Sequence, residues 1–172
     1  MARRGLFDPP TAVALACILG VCAAALLACS QRAGPPALPG AKAGPAALYP
    51  NPSLTPGDVL PGVTAKEICV PGYSSGVRDV SQAEKDEVLG RYGIKNEPGK
   101  YEVDHFISLE LGGSNALANL WPEPYEPRPG AHEKDKVENY LHDQVCKGAM
   151  TLPQAQEQIR TDWYAVYTKI QG

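Results

Sequence analysis

The chain has 172 residues, with 16 Lys and Arg against 19 Asp and Glu, and a formal net charge of −3. That length suits one ordinary domain plus extra segments. A net negative charge argues against binding nucleic acid by bulk phosphate attraction alone and leaves only a local basic patch for that purpose.

The first residues do not read as domain. MARRGLFDPP carries Arg3 and Arg4, and the run from Thr11 to Ala28 is almost wholly apolar. A positive start followed by an apolar stretch is the pattern of an export signal, residues 1–28. The stretch is also long enough to span a bilayer as an uncleaved anchor. Its end, Leu26-Leu27-Ala28-Cys29, resembles a bacterial lipobox, in which the Cys is lipidated and becomes the new N-terminus. The resemblance implies acyl chains on Cys29 that hold the protein to a membrane, each buried CH₂ contributing roughly 0.8 kcal/mol. Ser30 follows, with no Asp there, which by resemblance to Gram-negative lipoproteins points to the outer membrane. An ordinary cleaved signal is the alternative. Loss of residues 1–28 removes Arg3, Arg4 and Asp8 and leaves a net of about −4.

Residues 29–63 are rich in Pro, Gly and Ala and show no periodicity. They read as a disordered tether between lipid and domain. The folded domain is expected over 64–172.

Cys17 and Cys22 leave with the signal and Cys29 takes lipid, so two of the five Cys remain, Cys69 and Cys146. In an oxidising compartment an even remainder suggests one disulfide, the alternative being two free thiols. The bridge closes a loop of about 77 residues, stabilising the fold by roughly 4 kcal/mol through chain entropy. Neither Cys has a second Cys nearby, which excludes a CxxC-type zinc site.

Within the domain, ICVPGYSSGV reads as a short strand and a turn. SQAE at 81–84 fits a capping box, Ser81 with Glu84, opening a helix that runs through Tyr92 and stops at Gly93. YEVDHFISLEL is rich in β-formers and reads as a strand. Gly112-Gly113 marks a turn, and Pro122 and Pro124 in NLWPEP are expected to stop regular structure. From Ala131 to Lys147 the pattern is helical, with Val137, Tyr140, Leu141 and Val145 on one face and His132, Lys136, Asn139 and Asp143 on the other. Thr151 caps a last helix, with Gln154 at the capping-box position and Pro153 in the first turn. Leu152, Ala155, Ile159, Trp163, Val166 and Ile170 form its apolar stripe.

The sequence therefore places the dipeptide Asp104-His105, then Asn119, then His132, across a hairpin and the start of a helix. This arrangement resembles the HNH endonucleases of the ββα-metal nuclease superfamily. The phrases ICVPGY, DHFISLELGGSN, NLWPEP, AHEKDKVENYLHDQVC and AQEQIRTDWYAVY are similar to a group of small exported bacterial HNH-like proteins, over about residues 66 to 169. The resemblance implies an α+β fold with a ββα-metal core and flanking N- and C-terminal helices. It implies one divalent ion, Mg, Mn or Zn, held by Asp104 and His132, a general base in His105, and a structural role for Asn119. Adjacent strand residues point to opposite faces, so Asp104 and His105 can do different work. A carboxylate suits a hard cation, and an imidazole with a reference pKa near 6.5 suits proton transfer at neutral pH. His142, Asp135 and Glu138 are alternative ligands. The implied substrate is DNA, with RNA as a second possibility.

Other classes stay open. The domain can be a non-catalytic envelope lipoprotein that uses the scaffold to bind a partner, since fold does not fix function. The metal can also serve only to staple the fold. Lys134, Lys136, Lys147 and Arg128 are either phosphate contacts or solvated helix charges. The second is favoured, with Lys134 paired to Glu138 at i,i+4. Trp121, Tyr125, Trp163, Tyr164 and Tyr167 can stack on bases, although a small domain needs such rings in its core.

Overall fold

The computed structural model describes residues 48–172, an α+β unit with one two-stranded antiparallel sheet. The export signal, Cys29 and the first part of the tether lie outside the described residues.

Two short helices come first, α1 (Ala65–Ile68) and α2 (Tyr73–Val77), where a strand and turn were expected. The cause is local. Thr64 accepts from the Glu67 backbone N–H while the Glu67 carboxylate accepts from the Thr64 backbone, and this reciprocal cap starts a helical turn before Ile68 can extend. Helix α3 (Gln82–Arg91) begins with the same device, Ser81 with Glu84, as the sequence indicates. Tyr92 then caps its end.

Strand β1 (Tyr101–His105) pairs with β2 (Leu120–Pro124), with Asp104 opposite Trp121 and His105 opposite Leu120. The expected strand is cut short at His105. Ser108 accepts from the Glu110 backbone N–H and starts a 3₁₀ turn over Leu109–Leu111. Pro122 lies inside β2, while Pro124 is its last residue, as the sequence indicates. In a two-stranded sheet every strand has an edge without a ladder, and a proline there costs no hydrogen bond. Between the strands, Gly113 passes so close to the Ile107 carbonyl that any Cβ would overlap it.

Helix α4 (Ala131–Cys146) follows and packs on α5 (Leu152–Gln171). Val137, Leu141 and Val145 of α4 meet Ala155, Ile159 and Trp163 of α5 in the core, with Ile107 and Leu111 from the connection after β1. The polar face of α4 carries His132, Lys136, Asn139 and Asp143 exposed, as its period requires. Ile170, at the far end of the α5 stripe, is only partly buried. Helix α5 has a break at Asp162, whose carboxylate accepts from the Ala165 backbone N–H at 2.9 Å and from the Tyr49 hydroxyl at 2.6 Å. Asp162 thus acts as an internal N-cap for the last turns.

The folded unit begins earlier than the sequence suggests. Residues 48–63, read as tether, are part of it. Leu48 is buried and its carbonyl accepts from the Trp163 indole at 2.7 Å. Thr55 donates to the Leu120 carbonyl at 2.8 Å, Gly57 N–H to Ala118, and Leu60 N–H to Gly112. These are mostly backbone bonds. They require extended, proline-tolerant chain and leave no side-chain period to read.

Cys69 caps the end of α1 and Cys146 is the last residue of α4. They form a disulfide with Cα atoms 5.6 Å apart.

Candidate active site

His105 closes β1 and is 2 % exposed. Its Nε2 lies 3.0 Å from Asn115 Oδ1. The amide of Asn115 can face only one way. Its Nδ2 donates to the Val77 carbonyl at 2.8 Å, and its Oδ1 accepts from the Asp79 backbone N–H at 3.3 Å. A carbonyl only accepts and an N–H only donates, so oxygen faces His105. Neutral His105 therefore carries its proton on Nε2 and keeps its lone pair on Nδ1, which is buried with no hydrogen-bond partner. Burial holds the imidazole below its ordinary pKa, and the Asn115 bond and the Asp104 charge only partly oppose this. Near pH 7 it is a neutral base.

Asn119 fixes the chain that leaves His105. It is wholly buried, and its Oδ1 accepts from Ile107 N at 2.9 Å and from Asp58 N at 3.3 Å. Its Nδ2 donates to the carbonyls of Ile107 and Ser114, each at 2.9 Å. Its own carbonyl accepts from Phe106 N at 2.7 Å. One side chain thus joins β1, the Gly112-Gly113 turn and the segment before α1.

Asp104 points into a different setting. Its Oδ2 accepts from Lys134 Nζ at 2.7 Å. Lys134, from the second turn of α4, is 0 % exposed and also donates to the His105 carbonyl at 2.9 Å and to Glu138. Glu123 Oε2 from β2 lies 3.5 Å from the same nitrogen. Burial pulls the Lys134 ammonium toward neutrality, but Asp104, Glu123 and Glu138 outweigh it and hold its pKa well above the ordinary value. Burial likewise raises Asp104, and the Lys134 charge reverses this, leaving Asp104 ionised below the usual carboxylate range. Glu123 goes the other way: burial dominates and pushes its carboxyl well above the ordinary range. Glu138 is pushed up to about 7 by burial, despite Lys134.

Asp104, His132, Asp135 and Glu138 supply no group of three that could hold a metal ion. The His132 side chain is 60 % exposed on the outside of α4, 3.9 Å from Asp135 and stacked at 5.0 Å on Tyr125. Glu138 is taken up by Lys134 and by Ser108, whose hydroxyl donates at 2.8 Å. Asp135 and Glu102 are held above the ordinary range by burial and then by the Asp104 charge. His142 faces the disulfide, with Nε2 3.1 Å from the Ile68 carbonyl and 3.4 Å from Cys146 Sγ. Among the described residues, the group of three that could hold a metal ion is Cys69, His142 and Cys146, whose ligand atoms lie within 4.8 Å of one another. Its two sulfurs are bonded to each other, and a thiolate is the form that ligates. Asp104 is engaged by Lys134, while His132 lies exposed beside Asp135 and Tyr125.

Of the basic residues in and around α4, Lys134 reaches the site, and the others pair with carboxylates elsewhere. Lys147 pairs with Asp143 at 2.7 Å, Lys136 with Glu133 at 3.8 Å, and Arg128 with Glu126 at 3.2 Å. Lys134 does pair with Glu138 as expected, but inside the protein. Trp121 and Trp163 are core, while Tyr125 and Tyr167 are half-buried and Tyr164 is exposed. One cation near the site has no carboxylate partner among the described residues: Arg78, exposed on the residue between Val77 and Asp79, whose backbone grips Asn115.

Asn115, Glu123 and Arg78 carry no signal in the sequence that marks them as parts of this site. Asn115 reads as a turn extension, Glu123 as a loop charge, and Arg78 as one surface cation among several. Among the described residues no helix is long and apolar enough to cross a membrane. Comparison with known proteins finds no matching family model, no matching curated protein and no matching solved structure.

Proposed function

We propose that the end of β1 hydrolyses phosphodiester bonds of nucleic acid, DNA first, with His105 as general base. The observation that carries the reading is the fixed tautomer of His105: Asn115 holds Nε2–H and leaves an unshared lone pair on Nδ1. In the reaction, a water gives its proton to Nδ1 and its oxygen bonds to phosphorus. The P–O ester bond breaks, and the leaving oxygen takes a proton from solvent. Arg78 meets the phosphate, whose charge it matches. No step is assigned to a metal, because Lys134 already engages Asp104. The HNH resemblance in sequence agrees with this chemistry. Lipid on Cys29 would place the activity in the cell envelope.

The depth of His105 favours a second reading. A base that is 2 % exposed must be uncovered before substrate reaches it. A domain that keeps the scaffold and binds a partner without catalysis needs no such opening.

One experiment separates the two. The full chain with its disulfide formed is incubated with plasmid DNA and with RNA, in EDTA and in Mg²⁺, Mn²⁺ or Zn²⁺, beside His105→Ala prepared identically. Cleavage that disappears in His105→Ala is expected. Folded protein that cleaves neither nucleic acid under any of these conditions transfers the domain to the binding class.

A further inference from the structure

Four oxygens from four residues surround one nitrogen. The Nζ of Lys134 has Asp104 Oδ2 at 2.7 Å, the His105 carbonyl at 2.9 Å, Glu123 Oε2 at 3.5 Å, and Glu138 Oε1 in close contact. They come from β1, β2 and α4, so the nitrogen sits where the hairpin meets the helix. An ammonium has three hydrogens and no acceptor. Those hydrogens go to Asp104, His105 and Glu138, and Glu123, at the longest distance, keeps both its oxygens without a hydrogen bond.

An ammonium occupies the space between the carboxylates. Hard divalent ions bind oxygen at about 2.0–2.6 Å, so two ligand oxygens on one ion lie at most about 5 Å apart. Among the described residues only Cys69, His142 and Cys146 bring three ligand atoms within 4.8 Å of one another. The carboxylates of Asp104, Glu123 and Glu138 are not such a group, and the Lys134 ammonium fills the space between them. Lys134 pairs directly with Asp104 and Glu138, and Glu123 lies beside it.

We infer that Lys134 is the resident cation of the hairpin: its ammonium takes the place beside Asp104 that a divalent ion would take, and the Asp104–His105 site holds no metal. This concerns what sits beside Asp104 and holds whether the site cleaves nucleic acid or only binds a partner. A chelator removes a bound ion, but it cannot remove a lysine. The site is therefore complete on folding, without regard to metal supply.

The test reads binding and stability, not activity. The full chain, labelled with ¹⁵N at lysine and histidine, is cleared of metal with EDTA and titrated with Mn²⁺, whose unpaired electrons broaden nearby signals. The Lys134 Nζ and His105 ring signals are expected to keep their positions and widths beyond one molar equivalent. The melting temperature is expected to be the same in EDTA and in Mn²⁺. Broadening of both signals at one equivalent, with a rise in melting temperature, overturns the inference if folded Asp104→Asn loses both effects. Loss of nuclease activity plays no part in either outcome, so the phosphodiester reading can fail while this one stands.

Discussion

The Asp-His dipeptide is legible in the sequence because its chemistry lies in neighbouring letters. What holds the imidazole is not legible, because it comes from 10 residues ahead in Asn115, which is itself gripped by Val77 and Asp79, 38 and 36 residues upstream of it. No local pattern links those positions. Asn115 is therefore a positioning residue whose effect can be read in the ring it holds. Its bond raises the His105 pKa against the lowering by burial. Asn115→Ala should let that pKa fall further and should release the tautomer, so that Nδ1–H and Nε2–H forms coexist. Ring ¹⁵N shifts followed against pH measure both. A single Nε2–H tautomer retained in Asn115→Ala would show that another group fixes the ring. The same substitution should lower any cleavage rate chiefly through kcat, since the base is misplaced while phosphate contacts remain.

Helix α4 shows how much an element gives away and where it stops. Its 3.6-residue stripe is plain, and Val137, Leu141 and Val145 are buried as the stripe requires. The pairing of Lys134 with Glu138 is equally plain, since residues four apart share a face. The pair reads the same in water and in the core. What decides between them is Asp104 and Glu123, carboxylates on β1 and β2, together with Gly130, which brings the start of α4 close to the Pro124 carbonyl. Strand β1 carries the opposite lesson. Its β-forming letters run on to Leu111, yet Ser108 and the Asn119 staple end the strand six residues earlier. Lys134→Met keeps the stem and removes the charge. It should destabilise the fold by about 3–5 kcal/mol at pH 8, the cost of stripping one partner from a buried ion pair. The loss should be smaller at pH 5. Glu138, whose folded pKa lies near 7 because it is buried, contributes most when neutral, and that contribution fades as pH rises from its unfolded value through about 7. Asp104, lowered by Lys134 in the wild type, should lose that depression in the variant and take up a proton more readily. Urea denaturation of both proteins at the two pH values measures the difference. An equal loss at both would mean that the carboxylates left behind do not titrate with the fold.

At the scale of the molecule, the main discrepancy between sequence and structure lies at the N-terminal edge of the described unit. Composition assigns residues 48–63 to a tether, because Pro and Gly dominate and no period appears. The fold uses that composition differently. A chain that lies across a turn and a helix packing seam must tolerate proline and come close to its neighbours, and Gly57, at a positive φ of 86°, lies against the Phe106 and Ile107 side chains while its N–H donates to the Ala118 carbonyl. The segment covers the Trp163 side of α5 through Leu48 and Tyr49, and ties the hairpin through Thr55, Gly57 and Leu60. The disulfide joins α1 to the end of α4 across 77 residues of sequence. The two ties fasten different segments, so one should not replace the other. A chain beginning at residue 64 should leave the Trp163 indole N–H and the Leu120 carbonyl without these partners, each costing about 1–3 kcal/mol, and should expose apolar core that Leu48 covers. Its stability should therefore fall by about 5 kcal/mol or more against a chain beginning at residue 48, a large share of the roughly 5–15 kcal/mol usual for a domain. Urea melts of the two chains, both with the disulfide formed, check this. Equal midpoints would return residues 48–63 to the tether and leave the domain boundary where composition alone puts it.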